Sequence, residues 1–294
     1  MTLRASVIVP VYDGETTIGS CVRSINAQTL PREQFEVIVV DDGSHDGSAA
    51  VAAQAGAQVI RQANAGAAAA RNAGLHAARG EWVAFIDADA VASRGWLQLL
   101  LAAAESPATP AVVCVAGKTH GLASDSPAAR YVDLTDGLDA ERHLSHPRYP
   151  FAPSVNVLYR RSALLAIGGY DERYRSYEAC DLHQRLAAHG GTVRFEPRAV
   201  TFHRHRATWR AFWRQQVSYG VGLAQFMRHR VDEIGWSAGD ELRAWSTLIG
   251  LGAGACLPGR DDAALVRRGT FVKALAQRVG FVSAYWNGAE RAKW

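Results

Sequence analysis

Over the first 117 residues, short apolar runs alternate with amphipathic stretches, and this alternation constrains the fold more than any other feature. The segments 5–11, 35–40, 58–61, 82–86 and 111–117 read as strands. Between and beside them, 17–28, 47–55, 65–78 and 96–104 read as helices. Strands this short, separated by helices, predict a parallel sheet covered on both faces. A sheet of that kind binds ligands beyond the carboxyl ends of its strands, so the residues that follow each strand come first.

Beyond 117 the pattern breaks. Residues 120–153 carry scattered Gly, Pro, Asp and His and read as a long loop region with room for one helix. A strand over 154–160, an ordered stretch over 162–167, a Gly168-Gly169 turn and a helix over 181–189 follow. Two short strands, 192–195 and 199–203, precede a long amphipathic helix over 208–230. The tail, 236–294, reads as helical with a loop at 257–262. With no internal repeat or low-complexity linker, the expected organisation is a catalytic domain over 1–206 and a helical C-terminal extension over 207–294.

At 294 residues and 48% apolar content, the chain can bury a core without disulfide or metal staples. Cys21, Cys114, Cys180 and Cys256 lie far apart, which fits neither a zinc signature nor a secreted disulfide framework. The first ten residues read as a buried strand rather than a signal peptide. The longest weakly polar run, 246–258, is shorter than the roughly 20 residues a bilayer crossing needs. A soluble cytoplasmic protein is expected, with the inner face of the membrane as the alternative location. Net charge is +4, and 29 of the 32 basic residues are arginine.

Three predicted strands end in carboxylates. The first runs into Pro10-Val11-Tyr12-Asp13-Gly14, the second into Asp41-Asp42-Gly43-Ser44, and the fourth into Asp87-Ala88-Asp89. Residues two apart on an extended chain face one side, so Asp87 and Asp89 converge on a single cation. Hard divalent ions are held by one or two carboxylates together with substrate phosphates. One residue of Asp41-Asp42-Gly43-Ser44 is expected to cap the next helix, leaving the other carboxylate free to accept hydrogen bonds from a base or ribose. Neither Gly-x-Gly-x-x-Gly after the first strand nor Gly-x-x-x-x-Gly-Lys-Ser/Thr is present, which argues against dinucleotide dehydrogenases and P-loop enzymes.

On these residues the chain resembles the family 2 glycosyltransferases, which have the GT-A fold. The matching stretches run from Val7 to Ile18, Val39 to Ser48, Asn64 to Gly74, Gly80 to Asp89, Asn156 to Arg161 and Gly168 to Glu172. The resemblance implies an α/β fold: a mostly parallel GT-A sheet flanked by helices. It also implies a nucleoside-diphosphate sugar donor, UDP-sugar favoured, an Mn²⁺ or Mg²⁺ ion, and transfer with inversion. Carried over by position, Tyr12 packs on the base, Asp42 hydrogen-bonds it, and Arg71 lies beside base or phosphates. Pro10 and Asp41 complete the nucleotide-binding set. Asp87 approaches ribose or metal, Asp89 ligates the metal, and His203, in Phe202-His203-Arg204-His205, matches a position that reaches metal or diphosphate. A sugar nucleotidyltransferase of similar fold would carry a Gly-rich basic N-terminal loop, which is absent.

One position departs from the family pattern. The usual base is the aspartate of a Glu-Asp pair, whereas this chain reads Glu178-Ala179-Cys180-Asp181-Leu182. Glu178, one residue earlier and longer, is the first candidate for base and Asp181 the second. A nucleotide-sugar-binding protein with weak or no transferase activity is the alternative, because alanine accepts no proton.

Between 194 and 230, eight arginines face the single acid Glu196, interleaved with Trp209, Phe212, Trp213, Tyr219 and Phe226. Three readings stand open: a surface lying on anionic lipid with a lipid-linked or amphiphilic acceptor, contact with the diphosphate, or aromatics packed inward with arginine in water. The tail leaves peripheral membrane contact, a homodimer surface and packing on the domain equally open. Nucleic acid is not expected as a partner.

Overall fold

The structure is a computed structural model that describes residues 3–106, 112–123, 126–135, 137–235 and 237–287. Its strands are β1 (Ala5–Val11), β2 (Phe35–Asp41), β3 (Gln58–Arg61), β4 (Trp82–Ile86), β5 (Ala90–Ala92), β6 (Val112–Gly121), β7 (Asn156–Arg160) and β8 (Thr192–His203). The α-helices are α1 (Glu15–Asn26), α2 (Ser48–Gln54), α3 (Ala67–Ala77), α4 (Trp96–Ala104), α5 (Pro127–Leu134) and α6 (Ala140–Leu144), followed by α7 (Arg161–Ala166), α8 (Glu178–Ala188), α9 (Trp209–Ile234), α10 (Ala238–Ala255) and α11 (Asp262–Asn287). Ala111, at the head of the expected strand over 111–117, lies outside the described residues.

All eight strands form one sheet in the order β3-β2-β1-β4-β7-β6-β8-β5. Of the five strands expected over the first 117 residues, four pair in parallel, β3 to β2 to β1 to β4, whereas the fifth, β6, pairs antiparallel with β7 and so departs from the expected parallel sheet. From β4 onward the ladders β4–β7, β7–β6 and β8–β5 are antiparallel. Val7 and Val9 face one core layer with Ile18, Trp96 and Leu100. Ile8 faces the other with Leu75, Phe85 and Tyr159. Two covered faces explain why β1, β2 and β4 read as unbroken apolar runs.

Helix α3 lies unusually close to the sheet. A Cβ on Gly74 would fall 2.4 Å from Ile8 Cγ2, so only glycine allows the approach. Ala68 and Ala70 are buried on the same face.

Two departures from the sequence reading shape the site. The three-residue strand β5 is too short to show as a periodic run. The expected pair of strands at 192–195 and 199–203 is one strand, β8, running through Pro197. Proline's fixed φ is compatible with extended backbone, so its missing N–H does not end a strand. The region 120–153 holds two helices, α5 capped by Ser126 and α6 capped by Asp139.

The chain divides into two compact units: 1–120, 138–173 and 178–203 form the first, and 121–137, 174–177 and 204–294 the second. The first holds the sheet, apart from the last residue of β6. In the second, α9 buries Phe212 and Phe226, while Trp209 sits half-buried against Tyr131 at 5.8 Å between ring centroids. Arg210, Arg214 and Arg228 on that helix are exposed. Phe212 and Phe226 thus pack inward and Arg210, Arg214 and Arg228 face outward, whereas Arg194 and Arg230 of the same stretch are half-buried. Among the described residues, no helix is long and apolar enough to cross a membrane.

Candidate metal centre and active site

Because β3, β2, β1 and β4 are parallel neighbours, their carboxyl ends share one rim. Asp42 N–H donates to Val11 O at 2.9 Å and Gln62 N–H to Asp41 O at 3.0 Å, so the first three strands leave the sheet together. The expected cap of the next helix is corrected: α2 has Gly47 at its N-cap with no side-chain cap, and Asp41, fully buried, instead accepts the Ser44 N–H within the turn at 2.9 Å and lies 3.2 Å from Arg61 Nε. Gly43 takes φ +80°, and a Cβ there would meet Asn64 N at 2.8 Å. The absent side chain lets the 62–66 segment close over the turn.

The expectation that the second carboxylate would be free is corrected here. Asp42 is 4% exposed and accepts from Gln62 Nε2 at 2.7 Å, Ala65 N at 2.9 Å and Gly66 N at 2.8 Å. A carboxylate offers about four acceptor positions, and three are engaged by the protein. Gln62 was invisible to sequence reasoning, because a glutamine after a short strand carries no signal of its own. Tyr12 is 48% exposed, with its hydroxyl 3.4 Å from His45 Nδ1, and Pro10 pairs with Val40 in the β1–β2 register.

Asp87, Asp89 and His203 each bring one ligand atom into a cluster spanning no more than 4.8 Å. His203 Nε2 lies 3.0 Å from Asp89 Oδ1. The β5–β8 ladder is responsible, since it sets Ala90 opposite His203 and thereby puts the histidine beside the preceding aspartate. Two carboxylates and one imidazole make a donor set that suits a divalent ion with open positions for phosphate oxygens. Cys21 Sγ supports the backbone from below, 3.5 Å from Asp87 O. Burial pushes that thiol's pKa up, with the charges of Asp87 and Asp89 adding to the effect, so it stays a neutral packing group.

Arg71 joins this cluster to α8. It is 5% exposed, and its Nη2 donates to Asp87 Oδ1 at 3.1 Å while Nη1 donates to Glu178 Oε1 at 2.9 Å. The guanidinium also stands over the Tyr170 ring, 5.5 Å from its centroid. Burial works against the charge, but the carboxylates of Asp87 and Glu178 outweigh it and hold the group protonated. Its Nε has no hydrogen-bond partner among the described residues. Next to it, Asn72 accepts from Tyr170 N at 2.8 Å and donates to Tyr170 O and Glu172 Oε1. Asn72 thus ties α3 to the segment ahead of α8, a role that only its place beside Arg71 in a shared motif hinted at.

Two carboxylates on the two ends of one guanidinium are close neighbours, so Glu178 stands next to the aspartate cluster. Asp181 is engaged elsewhere: it is 3% exposed and accepts from Arg185 Nε at 2.7 Å, while Arg185 Nη1 donates to Ile167 O. Ala179 is 7% exposed and contributes only a methyl group.

A sequence model described as glycosyl transferase family 2 matches residues 6–168. The pre-mycofactocin glycosyltransferase of Mycobacterium tuberculosis (strain ATCC 25618 / H37Rv) is 31% identical over 314 residues, covering 96% of this chain. The chain spans 65% of that relative's own length. The validoxylamine A glucosyltransferase of Streptomyces hygroscopicus subsp. limoneus is 27% identical over 63% of this chain and 48% of its own. Among solved structures, a mannosyltransferase from Pyrobaculum calidifontis in complex with GDP-Man and Mn²⁺ superposes with a TM-score of 0.67 at 20% identity, covering 98% of this chain and 89% of its own. S. aureus TarS 1–349 in complex with UDP-GlcNAc gives 0.55 at 18%, covering 97% and 92%. These two structural likenesses show a shared fold.

Proposed function

This chain belongs to glycosyl transferase family 2, and on that footing we propose that it moves a sugar, with inversion, from a nucleoside-diphosphate donor to an acceptor hydroxyl. The observation that carries the reading is the Asp87–Asp89–His203 cluster joined through Arg71 to Glu178. The donor we assign to the UDP-sugars, on the family resemblance. Asp87, Asp89 and His203 would hold Mn²⁺ or Mg²⁺, which as a Lewis acid supplies the positive charge that a departing diphosphate requires.

The protein's own groups do the rest. Tyr12, Pro10 and Asp42 hold the nucleoside, with Asp42 braced by its three hydrogen bonds and Asp41 shaping the turn beneath it. Arg71 keeps a fixed positive charge beside the diphosphate. Glu178 has Oε1 pinned by Arg71, which leaves Oε2 to take the acceptor's proton as the oxygen bonds to the anomeric carbon. The anomeric carbon–oxygen bond to the diphosphate breaks as the new one forms, and the nucleoside diphosphate leaves with that electron pair. General-base assistance of this kind contributes about 10²–10⁴ in rate.

The test is donor turnover and UDP binding, with and without Mn²⁺, in the wild type, Asp89→Ala and Glu178→Gln. Loss of turnover in Glu178→Gln with UDP affinity kept supports the base; full activity in Asp89→Ala refutes the metal assignment. A second reading, a nucleotide-sugar-binding protein with weak or no transfer, is favoured by Ala179. Metal-dependent UDP binding with no turnover across an acceptor panel would establish it.

A further inference from the structure

Helix α10 buries Leu248 and turns an adjoining face to solvent. On that face Leu242 is 73% exposed, Ile249 72%, Leu257 just beyond the helix 55%, and Trp245 43%. Their spacing of three, four and eight residues is that of one helical stripe. From Leu242 to Gly259 the only charged residue is Arg243. A stripe of this size on a solvent face marks a contact surface.

The loop from α10 to α11 opens into a cleft of about 920 Å³ whose lining includes Trp209, Leu265, Arg130, Arg260 and Arg268. Arg130 is neutralised by a bidentate pair with Asp262, and Asp261 caps α11 by accepting the Ala264 N–H. Arg260 and Arg268 are exposed and have no ion pair among the described residues. Charge is segregated along the chain: residues 204–294 carry 14 Lys and Arg against 7 Asp and Glu, whereas the whole chain is only +4.

We propose that the exposed face of α10 and the Arg260–Arg268 cleft together form a docking surface for an anionic lipid bilayer. In that arrangement α10 lies in the interfacial plane, with Leu242, Trp245, Ile249 and Leu257 at the acyl boundary. Trp245 suits the headgroup level, where an amphipathic ring is favoured. Arg278 braces it, with its guanidinium 4.5 Å from the ring centroid. Arg260 and Arg268 take lipid phosphates at the end of the stripe. Apolar area and attraction to anionic headgroups are the two terms that hold such a helix on a membrane. Charge selects this occupant, since a second copy of the same basic surface would repel itself.

The exposed Cys256 lies at the end of the stripe, and Cys21, Cys114 and Cys180 are buried, so one thiol reports on the face. The full chain, labelled there with a polarity-sensitive maleimide, is titrated with phosphatidylcholine vesicles with and without phosphatidylglycerol. The expected result is a shift to an apolar environment and co-sedimentation only with the anionic vesicles. At least about thirtyfold weaker binding is expected in Arg260→Glu/Arg268→Glu, the two arginines together being worth about 2 kcal/mol near an anionic surface. Leu242→Ser/Ile249→Ser should weaken binding to a similar degree while keeping the wild-type melting temperature and circular dichroism. Absence of binding to anionic vesicles overturns the proposal, as does binding that neither double variant changes. A concentration-dependent dimer that Leu242→Ser/Ile249→Ser dissociates, with no vesicle binding, would assign the face to a second copy instead.

Discussion

Arg71 Nη1 donates to Glu178 Oε1 at 2.9 Å across 107 residues of sequence, while its Nη2 holds Asp87 at 3.1 Å. One buried cation thus fixes a helix-start carboxylate beside a strand-end carboxylate. Removing the cation would leave the mostly buried Glu178 carboxylate facing Asp87 with no positive charge between them. Arg71→Met is therefore expected to cost about 3 kcal/mol, the loss typical of stripping one partner from a buried ion pair. Urea unfolding measures it. The further substitution Glu178→Gln in that background should recover part of the loss, because it removes one of the two stranded charges.

Asp89 and His203 meet at 3.0 Å within the cluster that includes Asp87. Titration calorimetry of UDP in the presence of Mn²⁺ should show Asp89→Asn and His203→Ala each weakening binding at least about tenfold, or 1.4 kcal/mol. Without metal the same variants should bind UDP as the wild type does. A metal-independent loss would reassign both residues to packing.

His183 is buried, with Nε2 accepting from the Ala152 N–H at 3.2 Å and 2.8 Å from the Tyr159 hydroxyl. Burial pushes its pKa down to about 3. The unfolded chain takes up this proton below about pH 6.5 and the native state does not, so native stability falls as pH drops from there toward 3. The limiting slope is about 1.4 kcal/mol per pH unit. Subtracting the unfolding free energies of His183→Gln from those of the wild type across that range isolates the effect, since the carboxylates titrate in both.

Gly74 admits no side chain against Ile8. Gly74→Ala should destabilise by about 1–3 kcal/mol despite alanine's better helix propensity, because β-branched Ile8 cannot swing clear. Thermal unfolding of Gly74→Ala, Ile8→Ala and the double variant closes the cycle. The double variant should be less destabilised than the sum of the two.

Much of the parallel half of the sheet was legible because its signals are local. Apolar runs ending in Asp41-Asp42 and Asp87-x-Asp89 mark strand ends, and side chains two apart on extended chain share a direction without help from the rest of the molecule. The helix around Arg71 was likewise legible, and small side chains flanking it let Arg71 lie buried against the sheet. The region 120–153 was less legible, since two helices of eight and five residues are too short to show a periodic stripe.

The sequence by itself therefore determined the alternating sheet, its acidic rim and the helical tail, all of which follow from spacing within a few residues. Tertiary structure alone decided which distant groups meet. Strand β5 sets His203 against Asp89, Gln62 occupies the carboxylate of Asp42, Arg71 binds Glu178, and α10 rather than α9 carries the bare apolar face. Each of these pairings depends on how chain segments far apart in sequence register in space. Hydrogen-bond and packing geometry fixes that register, and residue identity alone does not encode it locally.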